Sequence, residues 1–305
     1  MTADTRTVRR VATARVPPHA YFAVSAVFHY LGPSFAVLLF ARVEVLGVAW
    51  LRIVSAALIF AAWRRPWRAF TRLDRDGRRL LIAWGAVLAV MNVCFYSAIS
   101  RLPLGTVSAI EFLPVIVLAA IGVRSSRNLL ALALAVGGVY LLTDIRVAGA
   151  TLGFAFAFAN ALLFSLYIVL ADRVAKRPAL SGIDGLAGAM LIAAVVVTPL
   201  GGWQAARAFG DPVVLLAGIG VGVSSSVIPY VTDQLAMVRL PRATYATMVA
   251  LLPALATVIG IIVLAQIPTW VEVAGLALVV GGVALHRPAA TDGGAAGSGV
   301  PPAAG

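Results

Sequence analysis

The sequence predicts an all-α, polytopic membrane protein with ten transmembrane helices. Of its 305 residues, 61% are hydrophobic and only 12% are charged, and the mean hydropathy is +0.98. A soluble chain of this composition would lack a polar surface, so lipid is the expected solvent. The apolar runs recur along almost the whole length and lack the alternating pattern of a membrane β-barrel. We therefore expect a single helical membrane domain.

Ten apolar runs are candidates for crossing the bilayer, because a helix needs about 20 apolar residues to span the hydrocarbon core. They cover residues 20–41, 46–63, 79–99, 103–123, 129–143, 150–171, 185–203, 213–236, 242–265 and 268–286. The fifth run is short, and the second contains Arg52. Residues 1–19 are interpreted as a cytoplasmic tail without a cleavable signal. Residues 287–305, at the Gly-, Ala- and Pro-rich end of the chain, are interpreted as a disordered tail.

The positive charges predict how these runs are oriented. A formal net charge of +12 would by itself suggest nucleic acid, but the Lys and Arg residues lie mostly on one side of the runs. If the N terminus is cytoplasmic, 19 of the 24 lie inside, which fits the positive-inside rule for an even number of spans. The outer loops then hold Arg42, Arg101, Arg146 and Arg207. The expected surface partner is thus the lipid bilayer, with both termini in the cytoplasm and no nucleic acid.

Sites for metals, cofactors and disulfides are not expected. Cys94 is the only cysteine, so it cannot form an intramolecular disulfide. His19, His29 and His286 are scattered and show no metal-ligand spacing. The sequence has no His-Glu-x-x-His motif, no paired intramembrane aspartates and no Gly-rich phosphate loop. A membrane-embedded enzyme is therefore the disfavoured alternative, and the chain is predicted not to be an enzyme.

Short motifs recur at equivalent places in the two halves of the chain. The matching segments are Arg101-Leu102-Pro103 with Arg239-Leu240-Pro241, Pro114 with Pro253, and Gly137-Gly138-Val139 with Gly281-Gly282-Val283. They predict two repeats of five helices, at residues 20–143 and 150–286. Since five is odd, the second repeat must enter the membrane from the opposite side. Inverted repeats of this kind are typical of secondary transporters, whose binding sites lie near the midplane between the repeats.

Three segments carry a resemblance to a known family. They are Trp50-Leu51-Arg52, the stretch from Arg101 through Leu104 and Gly105 to Glu111 and Phe112, and the stretch from Pro229 and Tyr230 to Pro241. The chain resembles the EamA-type branch of the drug/metabolite transporter superfamily over essentially all ten runs, and it is most similar to the threonine and homoserine exporters. This resemblance implies a carrier of the bacterial inner membrane that exports small amino acids or related metabolites in exchange for protons.

The sequence departs from the family pattern at three places. One residue fewer than expected separates Glu111 from Pro114. Leu252 stands before Pro253 where the family often has Glu, and Ala265-Gln266 replaces a common Gly-Glu pair. Two family carboxylates are therefore missing. The resemblance then implies that Glu111 is the carboxylate that binds and releases the exchanged proton.

Glu111 and Arg52 are the principal candidates for substrate binding and proton coupling, because ionisable groups inside a membrane usually serve function. At ~1.5 Å per residue they lie roughly 12 and 9 Å below the outer ends of their runs, so they could meet. A guanidinium and a carboxylate would complement the two charged ends of an amino acid. The alternative is a permanent structural ion pair between them.

Other polar residues in the runs are secondary candidates. Asn92 and Tyr96 lie one helical turn apart, where they either line a cavity or make contacts between helices. Asp233, Pro229 and Pro114 are candidates for a gate or hinge, since proline removes a backbone hydrogen bond. Asn160, Ser165 and Tyr167 are assigned to helix packing.

The sequence leaves the substrate and the assembly open. An exporter or importer of another small metabolite or drug remains the alternative within transport. Large aromatic cations would need an aromatic-lined cavity, and residues such as Phe95, Phe112 and Tyr167 could supply one. A homodimer is also left open.

Overall fold

The computed structural model describes residues 17–122, 125–144, 147–177, 182–240, 248–249 and 251–285, and all regular structure within them is helical. Ten helices correspond to the ten predicted runs and confirm the predicted fold class. They are α1 (Pro18–Leu39), α2 (Val45–Arg64), α3 (Arg75–Ile99), α4 (Leu104–Gly122), α5 (Ser126–Asp144), α6 (Val147–Ala175), α7 (Gly182–Ala205), α8 (Pro212–Gly222 continuing through Val223–Val227 to Ile228–Arg239), α9 (Leu252–Leu264) and α10 (Trp270–Leu285).

Length and composition alone make six of these helices clear membrane spans. They are α1, α2, α3, α6, α7 and α8, whereas apolar segments of α4, α5, α9 and α10 are shorter. Arg52 does not interrupt α2, and the short fifth run forms a complete helix. A six-residue helix, Trp67–Arg72, lies in the basic connection before α3 and was not predicted. Most of the two predicted tails, as well as Pro241 and the predicted start of the ninth run, lie outside the described residues.

Two aspartates set the beginnings of α3 and α8. The Asp74 carboxylate accepts a hydrogen bond from the Gly77 backbone N–H, and the Asp211 carboxylate accepts from the N–H groups of Val213 and Val214. A carboxylate at this position satisfies helix donors that have no partner within the helix. Because α3 and α8 are the third helices of their repeats, equivalent residues perform the same local task in both halves.

The pairs of helices in contact confirm the inverted-repeat architecture. Exchanging each helix for the one five places away maps the contacts α2–α7, α4–α9 and α5–α10 onto themselves. The same exchange turns α3–α6 into α8–α1, α3–α7 into α8–α2, and α4–α6 into α9–α1, all of which are also observed. A two-fold relation between two five-helix halves therefore organises the fold.

The repeated glycines carry the close contact between α5 and α10. A methyl group on Gly138 would collide with the backbone oxygen of Gly275, and one on Gly282 would lie 2.7 Å from the backbone oxygen of Ala131. Gly138 and Gly282 are separated by 144 residues, as are Ala131 and Gly275. The recurrence seen in the sequence is thus a two-fold symmetric contact in which small residues let two backbones approach.

The repeated arginines also occupy equivalent environments. The Arg101 guanidinium donates to the Ser97 backbone oxygen, and that of Arg239 donates to the Leu235 backbone oxygen, each one turn earlier in its helix. Arg101 lies 5.5 Å from the centre of the Phe156 ring on α6, and Arg239 lies 5.1 Å from that of Tyr21 on α1. Each arginine therefore closes the C-terminal end of a helix and stacks on the opposite repeat.

Candidate functional site

Glu111 lies in the interior of the helix bundle, on α4. Its side chain is buried, and Oε1 accepts a hydrogen bond of 3.1 Å from the Asn160 amide on α6. Asn160 belongs to the second repeat and was assigned to packing from the sequence. The only sequence signal for it was an amide in the middle of an otherwise apolar run. The key carboxylate of the first repeat is therefore positioned by the second.

Arg52 is buried on α2 and is also held by the second repeat. Its Nε donates to the Ser226 hydroxyl and its Nη2 to the Ser225 backbone oxygen, each at 3.1 Å. Pro229 has no N–H, so it cannot donate to the carbonyl of Ser225 four residues earlier, as a residue in an ordinary helix would. The Arg52 guanidinium supplies a donor to that carbonyl instead. Its carbon Cζ also lies 5.3 Å from the centre of the Tyr96 ring.

Ser225 and Ser226 lie in a π-helical turn, Val223–Val227, within α8. Such turns insert an extra residue into a helix and frequently occur at functional sites. The helix continues on both sides, so the turn and Pro229 expose backbone oxygen to Arg52 without ending α8. Pro229 was predicted as a gate or hinge. That role stays a prediction, whereas its contribution to the Arg52 site follows from the contacts.

Arg52 and Glu111 do not form an ion pair. Among the described residues, no nitrogen–oxygen contact within 4.0 Å joins them, in contrast to the ion pairs found near the helix ends. The two charges nevertheless lie within electrostatic range of each other and of the Tyr230 side chain. The structural ion pair left open by the sequence is therefore absent from this conformation. The Arg52 guanidinium and the Glu111 carboxylate thus lie in the same part of the bundle, and each has its own hydrogen-bond partner on the second repeat.

A hydroxyl pair lies beside Glu111. The Tyr30 hydroxyl on α1 and the Ser108 hydroxyl on α4 are 2.6 Å apart, and both side chains are buried. Ser108 precedes Glu111 by three residues and so lies on the same face of α4. Tyr30 is within electrostatic range of the Glu111 carboxylate. Neither residue was identified from the sequence, because tyrosine and serine in an apolar run are common packing residues.

Several buried polar atoms around these charges lack a hydrogen-bond partner among the described residues. Asn160 Oδ1 is one of them, on a side chain that is only 1% exposed. The hydroxyl groups of Tyr96 and Ser225 lie next to each other but outside hydrogen-bond geometry. Buried polar groups are normally satisfied, so these atoms are candidates for contact with water or a polar ligand. We call Arg52, Glu111, Asn160, Tyr96 and Ser225 the central cluster.

The other predicted site residues have different surroundings. The Asn92 amide donates to the Leu88 backbone oxygen, 2.7 Å away within α3. Asp233 is half-buried on α8, within electrostatic range of Tyr230. Pro114 lies inside α4, which continues to Gly122. The predicted roles of Asn92 in binding and of Asp233 and Pro114 in gating stay predictions.

A cavity of about 460 Å³ lies at the end of the bundle where α3 meets α4 and α9 meets α10. Its lining includes Arg101, Thr106, Thr257, Gln266 and Glu272. The Gln266 side-chain oxygen accepts a hydrogen bond from the Leu104 N–H at the start of α4. Gln266 therefore caps a helix of the opposite repeat. By the positive-inside prediction, this cavity faces the outside.

Comparisons with known proteins agree with this architecture. The threonine/homoserine exporters RhtA of Escherichia coli K12 and of Salmonella typhimurium LT2 are each 32% identical to the chain over 253 residues, which is 82% of this chain and 84% of theirs. The model of the EamA-like transporter family matches residues 151–286. The chain belongs to the EamA-like transporter family. As an EamA-like transporter it is a multi-pass membrane protein.

A solved crystal structure has the same fold as this EamA-like transporter. The two superpose with a TM-score of 0.60 over 88% of this chain and 96% of the other, at 17% sequence identity. At that identity the likeness concerns the fold alone. It agrees with the two-fold arrangement of helices, which the packing pairs establish independently.

Proposed function

We propose that this EamA-like transporter exports threonine, homoserine or a similarly small amino acid across the bacterial inner membrane in exchange for protons. The observation that carries the proposal is the separation of Arg52 from Glu111 within one buried region. Two opposite charges that do not neutralise each other complement a zwitterion. The names of the curated relatives support the same substrate class.

In this proposal the amino acid is bound at both charged ends. Its carboxylate faces the Arg52 guanidinium, whose planar array of donors suits a carboxylate. Its ammonium group faces Glu111, with Asn160 Oδ1 as a further acceptor. The hydroxyl groups of Tyr30 and Ser108 are available to the hydroxyl that threonine and homoserine share. Each of these groups is buried, so a bound solute would be shielded from lipid and water.

Proton exchange follows from charge balance at Glu111. A zwitterion brings no net charge, and its ammonium compensates the carboxylate while it is bound. Once the solute leaves, a proton replaces the ammonium, because an uncompensated carboxylate in a bilayer is costly. The proton must then leave before the next amino acid binds. Transport requires the two halves to expose the cluster alternately to each side, and no step requires bond chemistry by an enzyme.

The central test is Glu111→Gln. We expect this variant to reach the membrane in normal amounts, since Gln can still accept a hydrogen bond from Asn160. Proton-driven uptake of radiolabelled threonine into everted vesicles should fall to the level of vesicles without the protein. Glu272→Gln is the matched control, because Glu272 is buried on α10 and lies outside the central cluster. Normal proton-driven flux in Glu111→Gln would refute the proposed coupling.

A row of aromatic side chains favours one second candidate, an exporter of aromatic cations. Phe112, next to Glu111, contacts Phe164 at 6.2 Å between ring centres, and Phe164 stacks on Tyr167 at 6.4 Å. Such rings can bind a cation through their faces. A panel of small amino acids and aromatic cations in the same vesicle assay separates the two candidates. Uptake of the cations alone would replace the amino acid proposal.

A further inference from the structure

Four ion pairs among the described residues join separate segments of the chain, and they form two symmetric couples. Arg64, at the end of α2, pairs with Asp184 near the start of α7, while Arg207, just after α7, pairs with Glu44 just before α2. Exchanging α2 for α7 converts the first pair into the second. The two pairs therefore lie at opposite ends of the same pair of helices.

The second couple obeys the same symmetry. Arg177, after α6, pairs with Asp74 at the start of α3, and Arg42, after α1, pairs with Asp211 at the start of α8. The Gly77 N–H and the Arg177 guanidinium hold the pKa of the Asp74 carboxyl below its usual range, so this group stays charged at neutral pH. Each couple thus places one ion pair at the predicted inner end and one at the predicted outer end.

The two ends differ in the lengths of these pairs. At the inner end the nitrogen–oxygen distances are 2.7 Å for Arg64–Asp184 and 3.0 Å for Arg177–Asp74. At the outer end they are 3.7 Å for Arg42–Asp211 and 3.9 Å for Arg207–Glu44. The four pairs occupy symmetric positions in the sequence, but the two ends differ in these distances. The cavity of about 460 Å³ lies at the outer end, but Arg42, Glu44, Arg207 and Asp211 are not part of its lining, and a more open cavity of about 520 Å³ at the inner end is lined in part by Arg177.

We propose that the two inner ion pairs form one gate and the two outer ion pairs form its symmetric counterpart, and that transport exchanges their long and short states. The structure then represents the conformation closed at the inner end. In the opposite conformation the two halves exchange roles, so Arg207–Glu44 and Arg42–Asp211 shorten while the inner pairs separate. The proposal rests on transport by alternating access and does not depend on threonine as the substrate.

The strength of these pairs suits a gate. A solvent-exposed ion pair changes an equilibrium by only about two- to fivefold. Two such pairs at each end can bias the equilibrium between two conformations without locking either. Buried, fully enclosed ion pairs would be harder to separate in each cycle. Arg64 and Asp184 are half-buried, whereas Asp74 in the second inner pair is 61% exposed and the four outer residues are 45–79% exposed. Each end therefore has at least one solvent-exposed pair that can separate.

The test measures conformation and does not depend on transport of an added amino acid. Thr257→Cys, in a Cys94→Ala background, places a single thiol in the outer cavity, and its rate of labelling by a membrane-impermeant maleimide is followed in intact cells. Arg64→Gln should slow labelling about two- to fivefold by weakening the inner gate. Arg64→Asp combined with Asp184→Arg should restore the rate. Arg207→Gln, which weakens the outer gate, should not slow it.

Lys176→Gln is the matched control, because Lys176 lies at the inner end but pairs with Asp172 in its own segment. Labelling should be unchanged in this variant. Labelling of the detergent-denatured protein measures the total amount of thiol and corrects for expression. An unchanged rate in Arg64→Gln, or failure of the charge exchange to restore it, would overturn the gate. Failure of the amino acid proposal would appear only in the vesicle flux assay.

Discussion

At the scale of single residues, the site depends on backbone chemistry as much as on charge. The Arg52 guanidinium donates to the Ser225 backbone oxygen, to which Pro229 has no N–H to donate. It also donates to the Ser226 hydroxyl in the same π-helical turn. Glu111 is held by one amide, whose own oxygen has no partner among the described residues. In the proposed complex, the ammonium group of a bound amino acid supplies the missing donor. These contacts explain why two isolated charges are tolerated in the interior without pairing with each other.

Ala265 shows a local backbone strain at the end of α9. It ends α9 with φ 52° and ψ 31°, a left-handed conformation that favours glycine. We expect Ala265→Gly to stabilise the protein by about 1 kcal/mol, because it removes the strain on the Cβ atom. Thermal unfolding in detergent measures the change. Ala277→Gly, on an exposed face within α10, should instead destabilise, and a loss of stability in both variants would contradict this account.

At the scale of helices, contact between α5 and α10 is governed by which glycine of each pair faces the partner. Gly138 and Gly282 contact the opposite backbone, whereas Gly137 and Gly281 have no heavy atom within 4 Å of an added Cβ. The sequence motif Gly-Gly-Val is the same in both helices, yet its two glycines differ in function. One permits close approach, and the other faces open space.

Neighbouring glycines therefore provide a matched pair of variants. Gly138→Ala should destabilise the protein by roughly 1–3 kcal/mol, because the added methyl group pushes α5 away from α10. Gly137→Ala should leave stability unchanged or raise it by about 0.5–1 kcal/mol, since alanine favours helix more than glycine does. Fluorescence-detected size-exclusion chromatography after heating compares the two. Equal effects of both substitutions would show that helix propensity, and not contact, decides stability here.

At the scale of the whole molecule, the first repeat supplies the two charges and the second repeat positions them. Arg52 on α2 is bound by α8, and Glu111 on α4 is bound by α6. The site therefore exists only when both halves are assembled. In the proposed transport cycle, relative movement of the halves alters the contacts of both charges and so links substrate binding to conformational change.

Arg52→Lys tests this link between the repeats. A lysine ammonium is a compact point charge and cannot reach the Ser226 hydroxyl and the Ser225 carbonyl as a planar guanidinium does. Losing one charge-assisted hydrogen bond should raise the Michaelis constant for transport roughly tenfold or more, with expression nearly unchanged. Arg101→Lys, outside the cluster, should have little effect on that constant. If Arg52→Lys lowers expression and activity equally, Arg52 serves structure and not binding.

The sequence by itself determined the helical membrane fold, because apolar runs long enough to span a bilayer leave few alternatives. Equivalent motifs and the odd number of helices per half determined the inverted repeats. The cost of charge in lipid identified Glu111 and Arg52 as candidates without any structure. Each of these conclusions depends on patterns along the chain.

Only the tertiary structure decided which partners hold those charges. Asn160 and Ser226 are 49 and 174 residues away in sequence from Glu111 and Arg52, respectively. Hydropathy cannot reveal such contacts, because it records where a segment lies and not which helix it meets. The sequence allowed a direct ion pair, but the structure separates the two charges. The physical reason is that helix packing brings the two repeats together and places a hydrogen-bond partner from the second beside each charge of the first.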